Sequence, residues 1–196
     1  MSVDRFDIYM IGVGGQGIGL LSEALVRAAD LAGHVVRGVD THGLAQRGGT
    51  VVSNLRLGPE AHSPLVRPGS ADLVIALERH EAVRGGAEFL KSEGTLVYYD
   101  ASWQPLAVRL RREAAATKAD VQRIATARHA RLLRVYDSGL PDSRMQNVVV
   151  LATLAREHLV PEVTAEHYEQ ALGELLRGDV LDANVALFRA HLGRAG

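Results

Sequence analysis

The sequence predicts a three-layer α/β domain with a mostly parallel sheet and helical elements toward its C-terminus. Three observations carry that expectation. The chain opens with a short β-branched run, a glycine-rich turn, a helix-period stretch and a second short strand, which together make a βαβ unit. Further short apolar runs alternate with helical patterns through the middle of the chain, as they do when helices cover both faces of a sheet. Hydrophobic residues make up 47% of the 196 positions and aromatics only 5%, so one domain-sized core must be built from Val, Leu, Ile and Ala.

In chain order, Phe6 to Ile11 reads as a buried strand closed by glycines. Ile18 to Leu31 has helical spacing, with Leu21, Leu25, Ala28 and Ala29 on one face and Gly33 as its stop. His34 to Val39 and Val51 to Leu57 follow as strands, and Gly58-Pro59 opens a proline-spaced loop to Pro68. Asp72 to Leu77 predicts a strand, Glu81 to Lys91 a helix ended by Gly94, and Thr95 to Tyr99 a strand. The reading then gives a helix over Leu106 to Ala119, a strand over Val121 to Ala125 and a helix over Ala127 to Leu133. A turn-rich segment from Asp137 to Ser143 leads to an apolar helix over Asn147 to His158. Thr164 caps an amphipathic helix through Leu176 that carries Tyr168, Leu172 and Leu175 on one face, and Asp182 to Leu192 closes the chain. No repeat or linker divides residues 1–196, so they read as a single domain.

Composition excludes several function classes. A net charge of -1 gives no electrostatic reason for a nucleic-acid partner, and the arginines of Arg109 to Arg112 and Arg123 to Arg134 read as solvated helix faces. With no cysteine, the chain has no disulfide, no thiol nucleophile and no cysteine-ligated iron–sulfur cluster, which suits a cytoplasmic location. The N-terminus lacks the apolar stretch of a signal peptide, and the run Val148 to Ala155 is far short of the ~20 residues that span a bilayer, so no membrane association is expected. His62, His129, His158, His167 and His191 lack metal-ligand spacing, so no metal is assigned.

Gly12-Val13-Gly14-Gly15-Gln16-Gly17 satisfies GxGxxG between a strand and a helix, the context of a Rossmann-like dinucleotide site. Asp40, at the end of the second strand, stands where a ribose-binding carboxylate would. A stand-alone NAD(P)-binding oxidoreductase is therefore one reading, and glycines that merely permit tight helix–sheet packing are another. Against the first, the chain is too short for a separate substrate domain, and no acid–base constellation appears downstream. The second strand also runs into Thr41-His42-Gly43-Leu44-Ala45-Gln46-Arg47-Gly48-Gly49, with a hydroxyl, an imidazole, an amide, a guanidinium and three glycines in nine residues. Both loops follow strands, so both belong on the carboxyl edge of a parallel sheet, where ligands and partners bind.

The pair GVGGQGI and, about 25 residues later, THGLAQRGG resembles the gamma-type domain of 2-oxoacid:ferredoxin oxidoreductases, in the form found in the small subunit of the indolepyruvate type. The likeness extends to Ser53, to the strand from Asp72 to Glu78, to the helix containing Asn147 and to Asn184 through Arg189. Ala152 departs from it where a glycine is common, and Val135 to Ser143 match poorly.

The resemblance implies a small subunit, inactive alone, of a thiamine-diphosphate-dependent enzyme. With a larger partner subunit it would oxidatively decarboxylate indolepyruvate and other aryl pyruvates, consuming coenzyme A and passing electrons to ferredoxin. No cofactor is expected on this chain alone; thiamine diphosphate, Mg2+ and iron–sulfur clusters are expected on the partner of a hetero-oligomer. The expected contact residues are Gly12, Gly14, Gly15, Gln16, Gly17, Thr41, His42, Gln46, Arg47, Gly48 and Gly49, with no catalytic residue assigned. Arg47 could clamp a carboxylate or phosphate, or pair with Asp40. His42 could bond a substrate or order its own loop, and Gln16 could reach a diphosphate or stabilise its turn. Asn147 reads as a tie between a helix end and a loop, and Glu78-Arg79-His80, after a strand on the same edge, as a solvated helix start or as lining of the interface. A non-catalytic scaffolding module remains the third reading.

Overall fold

The structure, a computed structural model, describes residues 3–40, 49–102 and 114–194. It is organised around β1 (Phe6–Val13), whose Ile8 and Met10 enter one core while Tyr9 and Ile11 enter another on the opposite face. Successive residues of a strand point to opposite faces, so a strand apolar at every position belongs in the middle of a covered sheet. There follow α1 (Ile18–Leu31), β2 (Val36–Asp40), β3 (Thr50–Leu57), β4 (Ala71–Ala76), α2 (Arg79–Glu88), β5 (Leu90–Tyr99), α3 (Lys118–Ala127) and β6 (Arg131–Val135). A 3-10 turn (Ser143–Met145) then leads to α4 (Gln146–Arg156), α5 (Ala165–Leu175) and α6 (Gly178–Leu192).

The described strands form one sheet in the order β2-β3-β1-β4-β5-β6. β4 pairs parallel to β1, β5 to β4 and β6 to β5, while β3 runs antiparallel to both β1 and β2. The βαβ unit foreseen at the N-terminus is therefore present, but β3 is inserted between its two strands. Only nine residues separate Asp40 from Thr50, fewer than the dozen or so that a parallel crossover needs, so the chain turns back at the same edge. Helices α1, α4, α5 and α6 cover one face, and α2 and α3 cover the other, which gives the expected three layers.

Several expected elements are corrected. Helix α2 ends at Glu88, and Gly94 lies within β5, which begins at Leu90. The assignments over 121–133 are exchanged: Val121 to Ala125 is helical and Arg131 to Val135 is a strand. A reciprocal capping box between Thr117 and Asp120 starts α3, and His129, at φ 52°, ends it. Leu132 and Leu133 then pair with Leu96 and Val97, and that pairing, with partial burial of both side chains, overrides their helical propensity. The helix foreseen over Leu106 to Ala119 lies largely outside the described residues; residues 114–117 are not helical. The C-terminal helices match, with α6 starting earlier, at Gly178. Thr164 caps α5 as read, with Tyr168 and Leu172 buried.

Candidate functional site

The turn after β1 is held from within by Gln16. This side chain is fully buried; its Oε1 accepts from Val13 N at 2.7 Å and its Nε2 donates to the Leu77 carbonyl at 3.1 Å. The amide thereby joins the glycine turn to the end of β4. A Cβ on Gly12 would approach Ile18 to 2.8 Å. Gly17 caps α1 at φ +84°, and a Cβ there would lie 2.5 Å from Asn147 Nδ2, which donates to the Gly17 carbonyl at 3.2 Å. Asn147 thus ties the start of α4 to the turn, as its position in the sequence suggested. Gly15 and Gly19 are different: a Cβ on either meets nothing within 4 Å. No side chain caps α1, and its first internal bond is Leu21 N to the Gly17 carbonyl. The N–H groups of its first turn therefore precede the helical ladder.

The second motif meets the first at the same edge. Gly14 N donates to the Gly49 carbonyl at 2.9 Å, and Val13 stands opposite Thr50 in the ladder. Thr41, His42, Gln46, Arg47 and Gly48 lie outside the described residues. The motif's two flanks, Asp40 and Gly49, are within them, on the carboxyl side of β2 and at the start of β3. Asp40 Oδ1 accepts from Ser22 Oγ at 2.9 Å and from Ser53 Oγ, so this carboxylate links α1, β2 and β3. The ribose that a dinucleotide reading assigns to Asp40 would have to compete with those hydroxyls.

Beyond β1 the same edge becomes charged. Glu78, expected on a solvated helix start, is buried and caps α2 by accepting from Glu81 N at 2.5 Å. Burial raises its pKa to about 7, against hydrogen bonds from the His80 and Glu81 backbone. Glu81 is buried as well, accepts from Thr50 Oγ1 at 3.1 Å and lies 3.4 Å from Arg84. Its pKa is raised by burial, while Arg84 and Thr50 oppose the rise. Asp100, after β5, is buried among Arg79, Arg134 and Lys118. Burial works against its ionisation, yet hydrogen bonds from Arg79 and Arg134 hold its pKa below the ordinary carboxylate value. Sequence reasoning passed over Asp100. Its signal was an acid directly after a strand, but its partners are distant in the chain.

The open glycine face borders a cleft of about 380 Å³ lined by Gly14, Gly15, Gly19, Leu20, Val51 and Arg144. It offers backbone donors, apolar contacts and close approach. Among the described residues no group of three His, Cys, Asp or Glu could hold a metal ion, and no helix is long and apolar enough to cross a membrane.

The profile of the pyruvate ferredoxin/flavodoxin oxidoreductase family matches residues 7–192. The indolepyruvate oxidoreductase subunit IorB of Archaeoglobus fulgidus is 31% identical over 195 residues, covering 97% of this chain and 96% of that protein. The subunit of the same name from Pyrococcus horikoshii is 27% identical over 189 residues, covering 94% and 93%. The crystal structure of a keto/oxoacid ferredoxin oxidoreductase gamma subunit from Geobacter sulfurreducens superposes with a TM-score of 0.65 at 17% identity, covering 95% of this chain and 96% of that one. At that identity the likeness speaks for the fold.

Proposed function

The chain belongs to the pyruvate ferredoxin/flavodoxin oxidoreductase family, and from this we propose that it is the small subunit of an indolepyruvate-type 2-oxoacid:ferredoxin oxidoreductase. In this reading residues 1–196 are one gamma-type domain, inactive alone, that joins a larger thiamine-binding subunit in a cytoplasmic hetero-oligomer. The assembly oxidises aryl pyruvates with coenzyme A to arylacetyl-CoA and carbon dioxide, and ferredoxin takes the electrons. The observation that carries the reading is the Gly14–Gly49 hydrogen bond beside Gly15 and Gly19, where an added Cβ would meet nothing within 4 Å; it brings the first motif and the end of the second together next to a face open to close approach.

The residues of this chain fit a role beside the cofactors rather than around them. Without cysteine it has no thiolate for a cluster. The carboxylates of its carboxyl edge are already engaged: Asp40 by serines, Glu78 by the start of α2 and Asp100 by cations. Thiamine diphosphate, held with Mg2+ on the partner, supplies the decarboxylation chemistry, and iron–sulfur clusters there carry the electrons. This chain contributes the N–H groups at the start of α1 and the open positions Gly15 and Gly19, which admit another backbone or a diphosphate. Gln16 keeps the turn in that shape from below. Arg47, by its chemistry, clamps a carboxylate or phosphate, and His42 hydrogen-bonds the substrate or its neighbours.

Co-expression with adjacent genes, purification by a tag on this chain, and assay of indolepyruvate and phenylpyruvate oxidation with coenzyme A and a viologen acceptor test the proposal. The expected result is a co-purifying thiamine-containing chain whose activity requires this subunit. A chain that purifies alone and binds NAD with micromolar affinity would replace this reading with a dinucleotide enzyme.

A further inference from the structure

The ends of β4, β5 and β6 carry a feature that the glycine motifs do not use. Arg79 begins α2, Lys118 begins α3 and Arg134 lies in β6, yet all three converge on the carboxylate of Asp100. Arg79 donates Nε to Oδ1, Arg134 donates Nε to Oδ2 at 2.5 Å, and Lys118 Nζ is 3.4 Å from Oδ2. Each arginine meets Asp100 through Nε alone, and no described residue takes the terminal amino groups of either guanidinium. Three cations around one anion leave an excess of two positive charges. The side chains of Arg134 and Lys118 are 46% and 55% exposed, so that excess faces solvent.

Local rules do not account for the arrangement. The first position of a helix disfavours a cation, yet Lys118 occupies it. Charges on an edge strand commonly guard against edge pairing, and Arg131 of β6 reaches Glu157. Arg134, of opposite strand parity, turns instead to the face of α2 and α3 and to Asp100. Beside it, the ring of Tyr136 is 54% exposed and lies 5.7 Å from the Arg134 guanidinium carbon. The carboxyl ends of parallel strands are where α/β sheets bind ligands, and a buried carboxylate that fixes two guanidiniums by one nitrogen each preorganises their remaining donors for a bidentate oxyanion.

We propose that Arg79, Arg134 and Lys118, oriented by Asp100, form a binding site for a nucleoside diphosphate, with the phosphates on the three cations and the base stacked on Tyr136. The site stands on this cluster and does not rest on the reading of the preceding section.

Isothermal titration of the full chain at low ionic strength with ADP, pyrophosphate and adenosine as separate probes tests it. ADP and pyrophosphate should bind saturably and adenosine should not. Arg134→Gln and Lys118→Gln should each weaken both anions by about tenfold. Tyr136→Ala should weaken ADP and leave pyrophosphate unchanged. Lys118 is mostly exposed, so its variant keeps the test valid should Arg134→Gln unfold. Absence of saturable ADP and pyrophosphate binding, or binding that survives the Lys118→Gln change, overturns the site. A Tyr136→Ala variant that binds ADP as before overturns the nucleoside assignment in favour of an inorganic oxyanion.

Discussion

One edge of one sheet is built in two ways. At the ends of β1 and β3, neutral groups terminate inside the protein: Gln16 on backbone, Asn147 on Gly17, Gly14 on Gly49. At the ends of β4 and β5, carboxyl groups do the same work, and they titrate in opposite directions. Glu78 and Asp100 are both buried, 1% and 3% exposed. Glu78 receives only backbone donors in its vicinity and is pushed up to about 7, whereas Asp100 receives two guanidiniums and is held down. Burial alone does not decide the charge of a carboxyl; the donors that accompany it into the protein do. The neutral half offers shape and backbone, the charged half offers ions, and each suits a different visitor.

The sharpest way to break the neutral half is Gly17→Ala. It combines a left-handed backbone with a contact at 2.5 Å and should destabilise the chain by about 3 kcal/mol, read from urea unfolding. A tolerated alanine would mean that Asn147 is not the rigid tie described above.

On the charged half, Asp100→Asn leaves three cations facing one another. Water can reach two of them, so the expected loss is about 2 kcal/mol at neutral pH. The pH dependence separates the two carboxyls. The folded pKa of Asp100 lies below the ordinary carboxyl value of 3.8, so its stabilisation is present above that value and is lost as pH falls through the depressed folded pKa. Glu78 has the opposite sign. Its folded pKa of about 7 exceeds the ordinary value of 4.5, so its stabilisation is full below 4.5 and is lost as pH rises through 7. Glu78→Gln, a neutral side chain that can still cap α2, should therefore stabilise the protein above pH 7 by about 1–2 kcal/mol and change little near pH 5. Urea midpoints of wild type and both variants across pH measure this. If the Glu78→Gln difference is independent of pH, the contrast between the two carboxyls fails.

The smallest effect on stability is expected at Gly19. Alanine there meets open space and should stabilise the isolated chain by at most about 1 kcal/mol. Gly19→Leu should leave circular dichroism and unfolding near wild type while reducing co-purification of the proposed large subunit. Undiminished co-purification would remove the glycine face from the proposed interface.

Much of this was legible in the chain. The strand–turn–helix opening, the apolar α4 and the Thr164 cap follow from spacing and composition, and the position of both glycine motifs after strands already makes them neighbours. The exchange of helix and strand over 121–133 shows the limit. The run Val121 to Ala125 is too short for periodicity to separate the two, although the capping pair Thr117 and Asp120 stood in the sequence. Leu132 and Leu133 became a strand because β5 offered an edge to pair with. Gln16 was read as equally suited to a ligand or to its turn, and its fully buried amide is bonded to Val13 and Leu77.

The sequence by itself determined the three-layer architecture, the glycine turns and the absence of thiol chemistry, because these depend on residue type and on spacing within a few turns of chain. Tertiary structure alone decided the direction of β3, the burial of Glu78 and the convergence of Arg79, Lys118 and Arg134 on Asp100. Those four residues come from four separate segments, and only the closed sheet brings them within the few ångströms over which charge and desolvation act.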